Sequence, residues 1–120
     1  MRDVTTATLL SSALMLSACG GSGSEGNGRA KGVAGVPDGS AFVDQHSLKF
    51  NPKALAVSAS EPVYFKNSDT TFHTVSVNGK NQSGTMKAGD VFSWKAPGQG
   101  EYKISCEFHP QMKATVTVGP

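Results

Sequence analysis

From about residue 40 onward the chain places apolar residues at every second position in short runs. Leu55, Val57 and Ala59 alternate with polar or small neighbours, as do Val63 and Phe65, Val75 and Val77, and Phe92 and Trp94. Tyr102, Ile104 and Cys106 form another series, and Ala114, Val116 and Val118 form the last. A period of two is that of a strand with one face turned to a core. Between the runs lie "FNPK", "NSDTT", "NGKNQSG" and "APGQG", which supply the Asn, Asp, Gly and Pro that turns require. No segment carries a helical repeat of useful length. About six to eight short strands over residues 41–120 predict an all-β, two-sheet antiparallel sandwich.

The first 18 residues follow another logic. Met1 and Arg2 lead into "ATLLSSALMLSA", an apolar stretch too short to span a membrane that ends on small residues before Cys19. This is the pattern of a secretory signal peptide over residues 1–18. Leu16, Ser17, Ala18 and Cys19 resemble the lipobox of bacterial lipoproteins, in which the cysteine is diacylated and becomes the mature N-terminus. Each buried methylene of such an anchor is worth about 0.8 kcal/mol, so two chains hold a protein stably at a membrane face. The stretch "GGSGSEGNGRAKGVAG" that follows is rich in glycine and serine without an apolar period. Residues 19–40 are therefore expected to be a lipidated N-terminus and flexible linker ahead of a folded domain over residues 41–120. Gly21, Gly23 and Gly26 match the dinucleotide-binding spacing, but neither a strand before them nor a helix after them supports that use.

Charge excludes one class of function. The formal net charge is +2, unchanged once Arg2 and Asp3 are removed together, and the lysines are scattered without a run. Nucleic-acid binding has no electrostatic support.

The chemistry concentrates in "ISCEFHPQMKATV", where Cys106, His109 and Met112 follow one another with two residues between each pair. Cys106 shares the parity of Tyr102 and Ile104, so its sulfur is expected between the sheets. His109 follows in a loop that Pro110 keeps out of regular pairing, and Met112 precedes the final strand. His73 in "TFHTVSV", just before another strand, is the candidate for a fourth donor. One thiolate, two imidazoles and one thioether suit copper, and two histidines and a cysteine with a weak axial methionine make an electron-transfer site. Zinc could take the three strong ligands, although methionine is a poor zinc donor. A two-copper centre needs a second cysteine, which the domain lacks.

These residues reach a known family. "GEYKISCEFHPQMKATVTV" resembles the C-terminal copper loop of the small blue copper proteins of the plastocyanin and amicyanin family, the cupredoxins, and its C-x-x-H-x-x-M spacing is like that of amicyanin. "LKFNPKALAVSASEPVYFKNSDTTFHTVSV" is similar to the family's strands leading to the first histidine ligand, so the resemblance covers residues 41 to 118. It implies a Greek-key cupredoxin-like sandwich, one type 1 Cu(I)/Cu(II) ion held by His73, Cys106 and His109 with Met112 axial, and electron exchange through the exposed edge of His109. The function so implied is that of an electron carrier, not an enzyme. It would be a monomer, exported and lipid-anchored at Cys19 to the outer face of a bacterial membrane, meeting an oxidase, reductase, dehydrogenase or cytochrome. Two positions depart from the family: Thr74 stands after the first histidine where Asn is usual, and Phe108 before the second where Pro is usual. Both neighbours bear on ligand orientation and on hydrogen bonding to the thiolate.

Other readings stay open on sequence. A copper chaperone or buffer could use the same ligands with easier release, and a metal-free surface domain would leave them unexplained. His46, in "DQHSLKF", has no sulfur donor beside it and is expected at a surface or edge. Met86 is a rival for the axial place, with a packing role expected. Trp94 and Tyr102 fall on the alternating pattern as core, and Phe72, Phe108 and Pro110 are expected to form an apolar patch around His109.

Overall fold

The computed structural model describes residues 28–120, so the expected signal peptide and Cys19 lie outside the described residues. Nine strands and no helix make up this part: β1 (Ala41–His46), β2 (Lys49–Asn51), β3 (Ala54–Ser58), β4 (Val63–Asn67), β5 (Ser76–Val77), β6 (Lys80–Asn81), β7 (Val91–Trp94), β8 (Gly100–Ser105) and β9 (Lys113–Gly119). They form a four-stranded sheet in the order β2-β1-β4-β7 and a five-stranded sheet in the order β3-β9-β8-β5-β6. Period-two burial is plain in β9, where Ala114, Val116 and Val118 face inward, and in β4, where Val63, Phe65 and Asn67 do. The apolar members of these sets, with Val43, Phe50, Ile104 and Trp94, fill the space between the sheets. Trp94 is buried as expected, while half-buried Tyr102 packs edge-on against it with ring centroids 5.1 Å apart and donates its hydroxyl to the Gly98 carbonyl at 2.7 Å.

The sandwich follows the sequence pattern, but its sheets are mixed. β1 pairs with β4, and β3 with β9, in parallel; the remaining ladders are antiparallel. After β2 the chain crosses to β3 in the facing sheet, and β4 then re-enters the first sheet running in β1's direction. Alternation has the same period in both kinds of ladder, so it carries no information on strand direction.

The part of the expected linker that lies within the described residues is packed. Arg29 bridges Ala41 antiparallel, ahead of the β1 residues that β2 pairs with, and Gly28 accepts from the Phe42 amide at 2.9 Å. Arg29 also pairs with Glu61, Lys66 reaches the Ala34 carbonyl, and Ala30 and Val36 are buried. Gly28 has φ +76, a backbone that residues with a Cβ enter only with strain, and a Cβ there would lie 2.5 Å from Leu55 Cδ1, so a larger residue would also have to displace that methyl. Glycine-rich composition predicts a free chain; here close approach and backbone bonding use the same glycine.

Candidate metal centre

At one end of the sandwich, loops from both sheets meet. β8 ends at Ser105, and Cys106 keeps the strand's inward parity, with 2 % of its surface exposed. The chain then turns twice on itself: the His109 amide donates to the Cys106 carbonyl at 3.3 Å, and the Met112 amide to the His109 carbonyl at 2.9 Å. These turns place His109 at the half-buried rim and Met112 in the core at 1 % exposure. His73 arrives from the loop after β4 and is fully buried. It is fixed to Met86 by reciprocal backbone bonds of 3.1 and 2.7 Å, so Met86 serves as a packed neighbour of the site.

His73 Nδ1 lies 3.7 Å and His109 Nδ1 3.6 Å from Cys106 Sγ, and the three donor atoms fall within 4.8 Å of one another. A metal bonded at about 2.05 Å to imidazole and 2.3 Å to thiolate, with angles between tetrahedral and trigonal, sets donors about 3.6–3.8 Å apart. The two sulfur–nitrogen separations fit a single ion. The two imidazole rings meet edge to face with centroids 5.0 Å apart.

Hydrogen bonds around the donors hold them in place. The Thr74 amide donates to Cys106 Sγ at 3.4 Å, and Thr74 Oγ1 accepts from the Glu107 amide at 2.9 Å. Thr74 thus ties the His73 segment to both residues at the start of the Cys106 loop. Fully buried Gln45 donates from Nε2 to the Thr74 carbonyl at 3.1 Å, which adds β1 to the same network. On the far side of the ring, His73 Nε2 lies 2.8 Å from Asp69 Oδ2. Burial raises the Asp69 pKa, but hydrogen bonds from His73 and from the Leu48 and Ser47 amides outweigh it and hold the carboxyl below its ordinary value. The Asp69 loop is in turn braced by buried Asn67, whose side chain donates to the Thr71 and Met86 carbonyls at 2.9 Å and accepts from the Asp69 amide.

A model of the cupredoxin-like domain matches residues 36–118. The chain belongs to this family. Among solved structures, this cupredoxin is similar to the reduced form of a tryptophan-to-tyrosine variant of amicyanin, at 26% identity over 72% of this chain and 88% of that one, TM-score 0.65. It is similar to the same degree to a proline-to-glycine variant of amicyanin in its reduced Cu(I) form at pH 4 (26% identity, 72% and 88% covered, TM-score 0.65). Amicyanin from Paracoccus versutus shares the fold at 23% identity, with 72% of this chain and 87% of that chain covered and a TM-score of 0.66. No curated protein matches the chain. The cupredoxin is a blue copper protein resembling amicyanin, and its histidine, cysteine, histidine and methionine set fits a type 1 copper site.

The structure brings three of the four sequence candidates within bonding reach of one ion and buries Met112 at the end of the same loop. His46 sits apart, exposed at the end of β1. Phe72 and Phe108 are 51 % and 50 % exposed with ring centroids 6.5 Å apart, and Pro110 is exposed as well. Reasoning from sequence passed over Asp69, Asn67 and Gln45. The first two sit in "NSDTT", where Asx residues mark a turn by binding backbone amides, and that was their only local signal.

Proposed function

We propose that this cupredoxin is a membrane-tethered carrier of single electrons between redox partners outside the cytoplasm, with His73, Cys106 and His109 as equatorial copper ligands and Met112 as the axial one. The observation that carries the reading is the buried Cys106 sulfur with two imidazole nitrogens at 3.6 and 3.7 Å, at the spacing one metal ion requires. Sulfur and imidazole donors together favour copper, which when bound supplies one-electron chemistry between Cu(II) and Cu(I).

The protein's own part is to keep the donors still and dry. The Thr74 amide and the packed core shield Cys106 from water, and Asp69 and the Met86 backbone fix His73. A site braced in this way moves little when its charge changes, which suits rapid transfer more than release. His109 alone of the three reaches solvent, beside the exposed Phe72 and Phe108. These rings supply the apolar contact by which an oxidase, reductase, dehydrogenase or cytochrome would bring its own redox group near. The tether rests on the lipobox-like Leu16–Cys19 sequence, with residues 1–18 removed as a signal peptide.

Electron self-exchange of the copper-loaded protein, followed by NMR line broadening, tests the carrier role. Fast exchange is expected, and Phe108→Asp should slow it several-fold while copper is retained. Slow exchange in the unmodified protein, with copper readily surrendered to a chelator, contradicts the carrier reading. For the tether, Cys19→Ser in the full chain should move the protein from the membrane to the soluble fraction of a bacterial host; an unchanged distribution contradicts it.

A further inference from the structure

β1 and β2 are joined by a two-residue turn, Ser47 and Leu48, across the His46↔Lys49 pair. Both turn residues have left-handed backbones, with φ of 56 and 58. A turn of this kind normally carries Asn-Gly or Gly-Gly, because side chains with a Cβ enter the left-handed region at a cost, and leucine has no local polar group to offset it. The compensation comes from another loop. Asp69 Oδ1 accepts from the Ser47 amide at 2.7 Å, and Oδ2 accepts from the Leu48 amide at 3.1 Å. The same Oδ2 lies 2.8 Å from Nε2 of His73.

A carboxylate only accepts, so the nitrogen facing it must carry the proton. That leaves Nδ1, the nitrogen 3.7 Å from Cys106 Sγ, with its lone pair free. We infer that Asp69 is a positioning residue that sets His73 as the Nε2–H tautomer, with Nδ1 directed to the metal, and at the same time holds the Ser47–Leu48 turn, so that turn and ligand form one unit. The inference deepens the copper reading and rests on it for its consequence, but the clamp itself exists without metal. The turn presents Leu48, 40 % exposed, near the copper end of the molecule, and one side chain links that surface to a ligand.

The test is NMR of the metal-free full chain, comparing Asp69→Asn and Asp69→Ala with the unmodified protein. Asparagine keeps the shape and one acceptor oxygen, but the amide nitrogen that replaces Oδ2 only donates, so it can accept from neither the Leu48 amide nor His73. Long-range 1H–15N spectra should show His73 protonated at Nε2 in the unmodified protein and moved toward the Nδ1–H form or a mixture in Asp69→Asn. Hydrogen exchange at the Leu48 amide should quicken at least tenfold in Asp69→Asn, and at both turn amides in Asp69→Ala. Copper affinity, measured separately, should fall about 10- to 100-fold. Should Asp69→Ala fail to fold, Asp69→Asn decides alone. An unchanged His73 tautomer and unchanged exchange at Leu48 in Asp69→Asn would overturn the inference, whereas failure of the unmodified protein to bind copper would overturn only the function proposed above.

Discussion

Replacing Thr74 by Val tests whether the hydroxyl at this position, where the family usually has Asn, keeps the copper loop in place. Valine keeps the β-branched outline of threonine and puts a methyl where the hydroxyl stood in this fully buried position. What is lost is the 2.9 Å bond from the Glu107 amide to Thr74 Oγ1, while the Thr74 amide still reaches Cys106 Sγ. A neutral hydrogen bond contributes about 0.5–1.5 kcal/mol net, and a stranded buried donor costs about 1–3 kcal/mol. Glu107 lies at the exposed rim, where water can reach part of the freed amide, so the lower part of that range applies, about 1 kcal/mol. With a urea slope of about 1 kcal/mol/M for a domain of this size, the midpoint should fall by about 1 M. Local opening at Glu107 should rise more steeply than elsewhere, with amide exchange about 5- to 10-fold faster. Thr74→Ser, which keeps the hydroxyl, should leave Glu107 exchange near that of the unmodified protein. If Thr74→Val leaves both the midpoint and the Glu107 amide unaffected, the hydroxyl does not brace the loop.

Two further outcomes follow from the packing and from the N-terminal arm. Phe65 is fully buried between the sheets with its ring centroid 6.3 Å from that of Phe92, so Phe65→Ala should destabilise the domain by about 3–5 kcal/mol in chemical denaturation, and a loss below 1 kcal/mol would contradict its central place. The Glu61 pKa is held below its ordinary value of 4.5 by the hydrogen bond from Arg29, then by the Ser58 amide. A depressed folded pKa means that the stabilisation is full above the unfolded value and is lost as pH falls through the folded one. Because the pair is partly exposed, it is worth at most about 1 kcal/mol. Glu61→Gln should therefore lower stability slightly at neutral pH, and the difference should shrink progressively as pH falls below 4.5, as read from thermal unfolding across the acid range; a pH-independent difference would refute the linkage.

The parts of the molecule that could be read from its residues are those written in local periodicity. The parity of Tyr102, Ile104 and Cys106 put the sulfur inside, and the short spacing to His109 and Met112 announced one loop at one end. His73 could be paired with them because few other donors were present. Strand direction in β4 and β9 could not be read, since period two is the same in both senses. Asp69, Asn67 and Gln45 act on partners that are distant in sequence or on bare backbone, and no repeat marks such bonds. The packing of residues 28–40 was hidden for the opposite reason: glycines that usually signal freedom were here needed for close approach, as at Gly28 against Leu55.

The proposed function turns on Cys106 binding copper as a thiolate together with two imidazoles. Its most direct test is the visible absorption and EPR spectrum of the chain after addition of Cu(II), beside Cys106→Ser. An intense blue band and narrow copper hyperfine splitting are expected, both abolished in Cys106→Ser. A pale spectrum with ordinary hyperfine splitting, unchanged by the substitution, would contradict it.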